Sequence, residues 1–238
     1  YYTRLTQRLV SSLTVATRRG GLYEIDMRLR PSGRQGPVAT QMRSFRDYQV
    51  GEAETWEHMS LTRARVIAGD ETLSAELHQT INAVLGQTRD PAALRKSVRD
   101  MRALIAQEKG EADPWDIKLA AGGVIDVEFI AQYLALRHCA EHPDILAVET
   151  AEVIARAGRL GLLEPADADL LVEAHRLYST VVQMLRLTTE GAFDPAKAAV
   201  GVLRRIAAAA DCPDFARLER QLAETRKAVR ALFRRLLD

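Results

Sequence analysis

Cysteine is almost absent from this chain. Its 238 residues hold two, Cys139 and Cys212, in separate helical segments and without metal-ligand spacing, which argues against a disulfide scaffold and a structural zinc site. Reduced thiols of a soluble cytoplasmic protein are expected. Long apolar runs are missing too: no stretch approaches the roughly 18 residues of a membrane span, and no secretory leader is recognisable. Excess charge of one sign is also lacking. Lys plus Arg number 33 against 32 Asp plus Glu, a net of +1, so no chain-wide attraction to nucleic acid or to an acidic membrane is implied. Internal repeats and low-complexity tracts are absent. The length suffices for a sizeable core, in one large domain or two small ones.

Against that background one stretch stands out, Leu22-Tyr-Glu-Ile-Asp-Met-Arg-Leu-Arg-Pro31. It alternates without a break, which predicts a strand over residues 22–29. Tyr23, Ile25, Met27 and Leu29 fall on one face, and Glu24, Asp26, Arg28 and Arg30 on the other, because successive strand side chains point to opposite sides. A carboxylate is suited to Mg²⁺ and guanidinium forks to phosphate oxygens, so this face fits a site for a divalent cation and an anion together. The alternative is an edge strand with a solvated, salt-bridged outer face, in which Arg28 and Arg30 pair with Glu24 or Asp47.

Elsewhere the period is helical. The first residues read directly into an amphipathic helix with Leu5, Leu9, Leu13 and Val15 as its stripe, and the abrupt start suggests a piece that begins inside a domain. Pro31, Gly33, Gly36 and Pro37 make 30–40 a loop. Helices are expected over 41–50, 52–67 and 71–86. Asp90-Pro91 is a helix start signal, followed by an apolar face of Leu94, Val98, Met101, Leu104 and Ile105 that ends near Gly110. Asp113-Pro114 opens a connection, and Gly122-Gly123 interrupts it before a helix at 125–138. Glu164-Pro165 and Asp194-Pro195 start further helices. Asp211-Cys-Pro213 precedes a last one, with Phe215, Leu218, Leu222, Val229, Leu232, Phe233 and Leu236 at bundle spacing. Its Arg226, Lys227, Arg230, Arg234 and Arg235 read as a solvated face that suits a helix C-terminus. The fold class is mainly α. Residues 1–68, which hold the expected strand, are set apart from an all-α bundle over 70–238.

Further motifs follow the alternating stretch in order: Arg30-Pro-Ser-Gly33, Ser44-Phe-Arg-Asp-Tyr-Gln49, Thr55-Trp-Glu-His58, Arg63-Ala-Arg-Val-Ile67, and Asp116-Ile-Lys-Leu-Ala-Ala-Gly-Gly-Val-Ile-Asp-Val-Glu-Phe-Ile-Ala-Gln132. The series closely resembles the glutamate–ammonia-ligase adenylyltransferases, bifunctional enzymes that add AMP to, and remove it from, a tyrosine of glutamine synthetase and so regulate nitrogen assimilation. Its wording is more similar to the C-terminal, adenylylating half. The resemblance makes residues 1–68 the remnant of an α/β nucleotidyltransferase domain and implies ATP as substrate and Mg²⁺ as cofactor. It makes Asp26 the third carboxylate of the family's site, a metal ligand that helps to polarise or deprotonate the incoming hydroxyl. The family's Gly-Ser turn and Asp-x-Asp pair do not occur ahead of Tyr23, so this piece alone is expected to be inactive or nearly so.

The remaining candidates have two readings each. Arg28 and Arg30 are placed on phosphate, with Glu24 orienting an arginine. Glu57 lies beside Trp56, which reads as core, and His58, which lacks a second metal ligand at helical spacing. Arg63 and Arg65 cannot share one helix face, so at most one reaches a nucleotide. Lys118 before Gly122-Gly123, with Asp126 and Glu128 beyond, is either an anion site at a helix start or a tight turn with an acidic first helical turn. The resemblance links this helical part to that of the PII uridylyltransferases. Three functions stay open: an adenylylating enzyme fragment, a regulatory and docking module responding to glutamine or PII protein, and the phosphate-using deadenylylating half. Nucleic acid and membrane are not expected as partners.

Overall fold

A computed structural model describes residues 1–18, 20–21, 25–189 and 191–238. Among them are ten α-helices and no strand: α1 Tyr2–Thr14, α2 Met42–Gly51, α3 Thr55–Leu61, α4 Glu71–Leu85, α5 Pro91–Lys109, α6 Val124–His138, α7 Thr150–Arg159, α8 Pro165–Thr188, α9 Val200–Ala209 and α10 Phe215–Leu237. The chain is thus mainly α, as its periodicity predicts. It divides into two compact units, Tyr1–Leu61 with Arg65–Val84, and Thr62–Ala64 with Leu85–Asp238. No helix among the described residues is long and apolar enough to cross a membrane.

The second unit is built around α6. Ten of its residues are buried, from Ile125 to Leu136, because the helix is apolar nearly all round and packs against α5, α7, α8 and α10. The neighbouring helices are one-sided. In α10 the buried set is Leu218, Leu222, Val229, Leu232, Phe233 and Leu237, so the last turn buries Leu237 where the sequence reading placed Leu236. Side-chain caps fix two starts. The Asp90 carboxylate accepts the Ala93 N–H at 2.7 Å ahead of α5, and Asp214 accepts the Arg217 N–H at 2.7 Å ahead of α10; each such cap contributes about 1 kcal/mol.

Several sequence expectations need correction. Of the expected strand, Leu22, Tyr23 and Glu24 lie outside the described residues, and 25–29 form no ladder. A strand requires a partner for its N–H and C=O groups, and the only β-type pairing among the described residues is a single bridge, Thr17 to Gly20. The helix expected over 52–67 is shorter, Thr55–Leu61; the chain turns at Thr62, and the Arg63 guanidinium then pairs with Glu128 at 2.7 Å. Asp194-Pro195 starts no long helix. The Asp194 carboxylate accepts the Ala196 N–H at 3.0 Å and pairs with Lys197, a local turn that competes with helix, and α9 begins only at Val200. The apolar stripe of α1 buries nothing among the described residues, with Leu5 and Leu9 about half exposed. Helix α7, absent from the sequence reading, buries Val153, Ile154 and Ala157, a spacing of one helical face.

Candidate functional site

In the first unit Ile25, Asp26, Met27, Arg28, Arg30 and Arg34 line an open cleft of about 530 Å³. Asp26 and Arg28 form its charged floor. The Arg28 backbone N–H donates to Asp26 Oδ1 at 2.9 Å, and the guanidinium donates to both carboxylate oxygens, through Nε at 2.9 Å and Nη2 at 2.5 Å. These hydrogen bonds hold the Asp26 carboxyl at about 2, below its ordinary range, with a smaller pull from the charge of Arg34. Both partners stay more than half exposed, so the pair is formed in contact with solvent.

Alternation holds from Ile25 to Arg28 and then breaks. Ile25 and Met27 are half-buried, Asp26 and Arg28 exposed, but Leu29 is 67% exposed and Arg30 turns inward. The bend before Pro31 reverses the faces, so Arg30 does not share the exposed side of Asp26. Its guanidinium donates to the carbonyl oxygens of Met27 at 2.5 Å, Gly36 at 3.2 Å and Arg34 at 3.3 Å, and so closes the loop 27–36 on itself. Within that loop Ser32 and Gly33 both have positive φ, 59° and 54°, and a Cβ on Gly36 would lie 1.9 Å from the Pro31 carbonyl oxygen. The loop is therefore held in one tight shape.

Behind it, Glu57 has a positional task. Its carboxylate accepts the Tyr48 hydroxyl at 2.8 and 3.0 Å and the Glu54 N–H at 2.9 Å, the second being the reciprocal half of a capping box at the start of α3. Burial, then the Glu57 carboxylate, push the Tyr48 hydroxyl above its ordinary pKa, while the Ser32 backbone bonds the same oxygen and pulls the other way. Tyr48 thereby ties α2, α3 and the loop together. His58 bonds the Gln49 carbonyl at 2.9 Å through its Nε2.

The helical candidates lie in the second unit. Asp126 is completely buried. It accepts Arg102 Nε and, at 2.9 Å, Arg230 Nη1, as well as the Gly122 N–H at 2.7 Å. Arg102, only 2% exposed, also donates to Glu111 at 2.8 Å and to the Leu119 carbonyl at 3.1 Å. One carboxylate thus joins α5, α6 and α10. The N–H groups of Gly122, Gly123, Val124 and Ile125 all have internal acceptors, and added Cβ atoms on Gly122 and Gly123 would meet the Arg226 and Ile117 carbonyl oxygens at 1.9 and 2.2 Å. The turn is a close-packing device whose N–H groups from Gly122 to Ile125 are already paired, and Lys118 stands exposed beside it. Tyr178 donates to the Gly122 carbonyl at 2.9 Å, and burial raises its pKa well above the ordinary tyrosine value. Glu128 is occupied by Arg63, and His175 near this pair is held below its ordinary pKa by burial.

Residues 1–80 match the family model described as glutamate-ammonia ligase adenylyltransferase, and residues 99–237, more than half the chain, match the one described as GlnD PII-uridylyltransferase. Across all 238 residues the chain is 52% identical to a bifunctional glutamine synthetase adenylyltransferase/adenylyl-removing enzyme of Xanthobacter autotrophicus and to one of Bradyrhizobium diazoefficiens. Over 237 residues it is 52% identical to the protein of that name from Rhodopseudomonas palustris. Through residues 1–80 the chain matches the glutamate–ammonia ligase adenylyltransferase family. Its helical residues 99–237 belong to the family of the PII-uridylyltransferase model. The chain spans 24% of the length of each of those relatives. The two matched stretches leave 81–98 between them, and the division into compact units at Val84 and Leu85 falls inside that interval.

Arg34 on the loop, Tyr48 on α2, and Arg102 in the core were not singled out by the sequence. For Arg102 a signal exists: it follows Val98 by one helical turn and Leu94 by two, on the buried face of α5. For Arg34 and Tyr48 there is none, since both depend on how a loop closes.

Proposed function

We propose that this chain carries part of the nucleotidyl-transfer centre, followed by the helical unit, of a protein that moves AMP from ATP onto a tyrosine hydroxyl of glutamine synthetase. The reading rests on one observation above the others: Asp26, Arg28 and Arg34 converge on an open cleft of the unit that the adenylyltransferase model matches. In the reaction the tyrosine oxygen attacks the α-phosphorus, the bond to the bridging oxygen breaks, and pyrophosphate leaves with the displaced charge. Arginine forks on that cleft suit the triphosphate. A carboxylate held at about 2 is a weak proton acceptor at neutral pH; Asp26 therefore orients Arg28 or serves as a ligand, and is not the base. In this reading Glu57 and Tyr48 position the loop, and Asp126, Glu128, Arg63 and Lys118 belong to the frame and surface of the helical unit.

The magnesium ion that the resemblance implies does not fit the described residues by themselves. It takes about six oxygen ligands in octahedral geometry. Asp26 is the sole carboxylate on the cleft among the described residues, and Arg28 occupies both of its oxygens. Further ligands would have to come from elsewhere in the longer protein, and the 238-residue chain alone is expected to transfer no AMP. The closed core around α6 favours a second role for residues 85–238, as a regulatory and docking module; glutamine and PII protein are its candidate effectors.

The test is AMP transfer from labelled ATP to unmodified glutamine synthetase by the full-length protein and its Asp26→Asn variant. Transfer by wild type, lost in the variant, supports the adenylylating assignment. Loss in Asp26→Asn of the phosphate-dependent release of ADP from modified glutamine synthetase, with transfer intact, identifies the deadenylylating half. Full activity of Asp26→Asn refutes a role for this cleft in transfer.

A further inference from the structure

The three arginines of the cleft are not equivalent. Arg30 is held by three backbone carbonyls of its own loop, and Arg28 is locked on Asp26. Arg34 lies at the crest of the same loop, exposed, and its guanidinium has no hydrogen-bond or ion-pair partner among the described residues. Its charge nevertheless reaches Asp26. The backbone beneath it is fixed: Arg30 grips the Arg34 carbonyl from below, Gly36 N–H bonds the Ser32 carbonyl at 3.2 Å, and the Tyr48 hydroxyl is bonded by the Ser32 backbone. A free guanidinium on a tightly bonded loop, facing an open cleft whose one carboxylate among the described residues is already paired with Arg28, presents excess positive charge.

We infer that Arg34 is the side chain that binds the polyphosphate tail of a nucleoside triphosphate in this cleft, with Arg30 as the scaffold that presents it and Arg28 as a second contact once released from Asp26. This rests on the nucleotidyl-transfer reading above and assigns the phosphate role that the sequence gives to Arg30 to a residue four positions later. Charge selects among ligands here. A tripolyphosphate chain offers several negative oxygens along its length to the two arginines that line the cleft, whereas a single orthophosphate offers one group. Guanidinium at this position is expected to matter for the triphosphate and not for AMP.

The experiment uses the full-length protein as wild type, Arg34→Gln, Arg34→Lys, Arg30→Gln and Asp26→Asn. Calorimetric binding of ATP, tripolyphosphate, orthophosphate and AMP is combined with thermal unfolding. Loss of one charge-assisted contact is expected to weaken ATP and tripolyphosphate in Arg34→Gln about tenfold, with AMP binding and the unfolding midpoint unchanged and part of the affinity restored in Arg34→Lys. Arg30→Gln is expected to lower the unfolding midpoint of the first unit and to weaken ATP and tripolyphosphate together with it. Wild-type tripolyphosphate affinity in Arg34→Gln overturns the inference. So does an orthophosphate affinity that depends on Arg34 as strongly as the tripolyphosphate affinity. Asp26→Asn separates the two levels. If that variant loses AMP transfer while Arg34→Gln binds normally, only the assignment of Arg34 fails; if it transfers normally, the reading of the cleft fails with it.

Discussion

Replacing Asp126 by alanine would remove the carboxylate that holds two arginines and one backbone N–H inside the second unit. Arg102 is 2% exposed and would keep its charge with Glu111 as its remaining anionic partner; its Nη1 already lacks a hydrogen-bond partner. Removing one member of a buried ion pair costs about 3–5 kcal/mol, chiefly because the other charge stays desolvated, and the orphaned Gly122 N–H adds about 1–3 kcal/mol. Against a typical domain stability of about 5–15 kcal/mol, the variant should be marginal. Urea unfolding followed by Trp115 emission, in a Trp56→Phe background, reads this unit. With a slope of about 1–3 kcal/mol per molar urea, the midpoint should fall on the order of 1–2 M or more. The double variant Asp126→Ala/Arg102→Met should recover part of the loss, because the stranded guanidinium is gone. A midpoint within about 0.3 M of wild type in Asp126→Ala would refute the idea that this network braces the unit.

Gly122→Ala should destabilise the same unit by about 1–3 kcal/mol or more, since its φ is +76° and the new Cβ would sit 1.9 Å from the Arg226 carbonyl oxygen; unchanged thermal unfolding would show that α10 can move away freely. The Asp26 carboxyl should titrate with a midpoint near 2 by carbon-detected NMR and return to the ordinary aspartate range in Arg28→Ala. Because its folded pKa is depressed, whatever the pair contributes is fully present above the unfolded value near 4 and is lost as pH falls through about 2.

The helices were legible where local chemistry decides them. Asp90-Pro91 announces α5 because a cap and a fixed proline φ act within a few residues, and Asp211-Cys-Pro213 announces α10 from just ahead of its cap, Asp214. Asp194-Pro195 carries the same signal and fails, since the Asp194 carboxylate closes an Asx turn on Ala196 before a helix can propagate. The strand at 22–29 was a statement about pairing, and pairing is non-local; alternation alone carries no information on whether a partner edge is present. At the site, Asp26 and Arg28 were readable as neighbours on one face. Arg30 was not, because the bend at Leu29 and Arg30 exchanges the faces, and the reach of a guanidinium back to three carbonyls is decided by loop closure.

The carboxylate–arginine clusters at Asp126 and at Asp26 are of similar composition, and their surroundings separate their tasks. Around Asp126 the arginine partners come from two other helices, α5 and α10, the carboxylate is fully buried, and opening the cluster strands a charge in the core. That arrangement resists exchange and suits a brace. At Asp26 both partners come from one tripeptide and remain in solvent. Water can take over each side as the pair opens, so the free-energy cost of separating them is small, and Arg28 can be handed to an incoming anion. A site that must bind and release a charged substrate needs the second kind of cluster. The sequence wrote both with the same letters, Asp-x-Arg in one place and an aspartate in a helical first turn in the other. Only burial tells which of them can exchange partners.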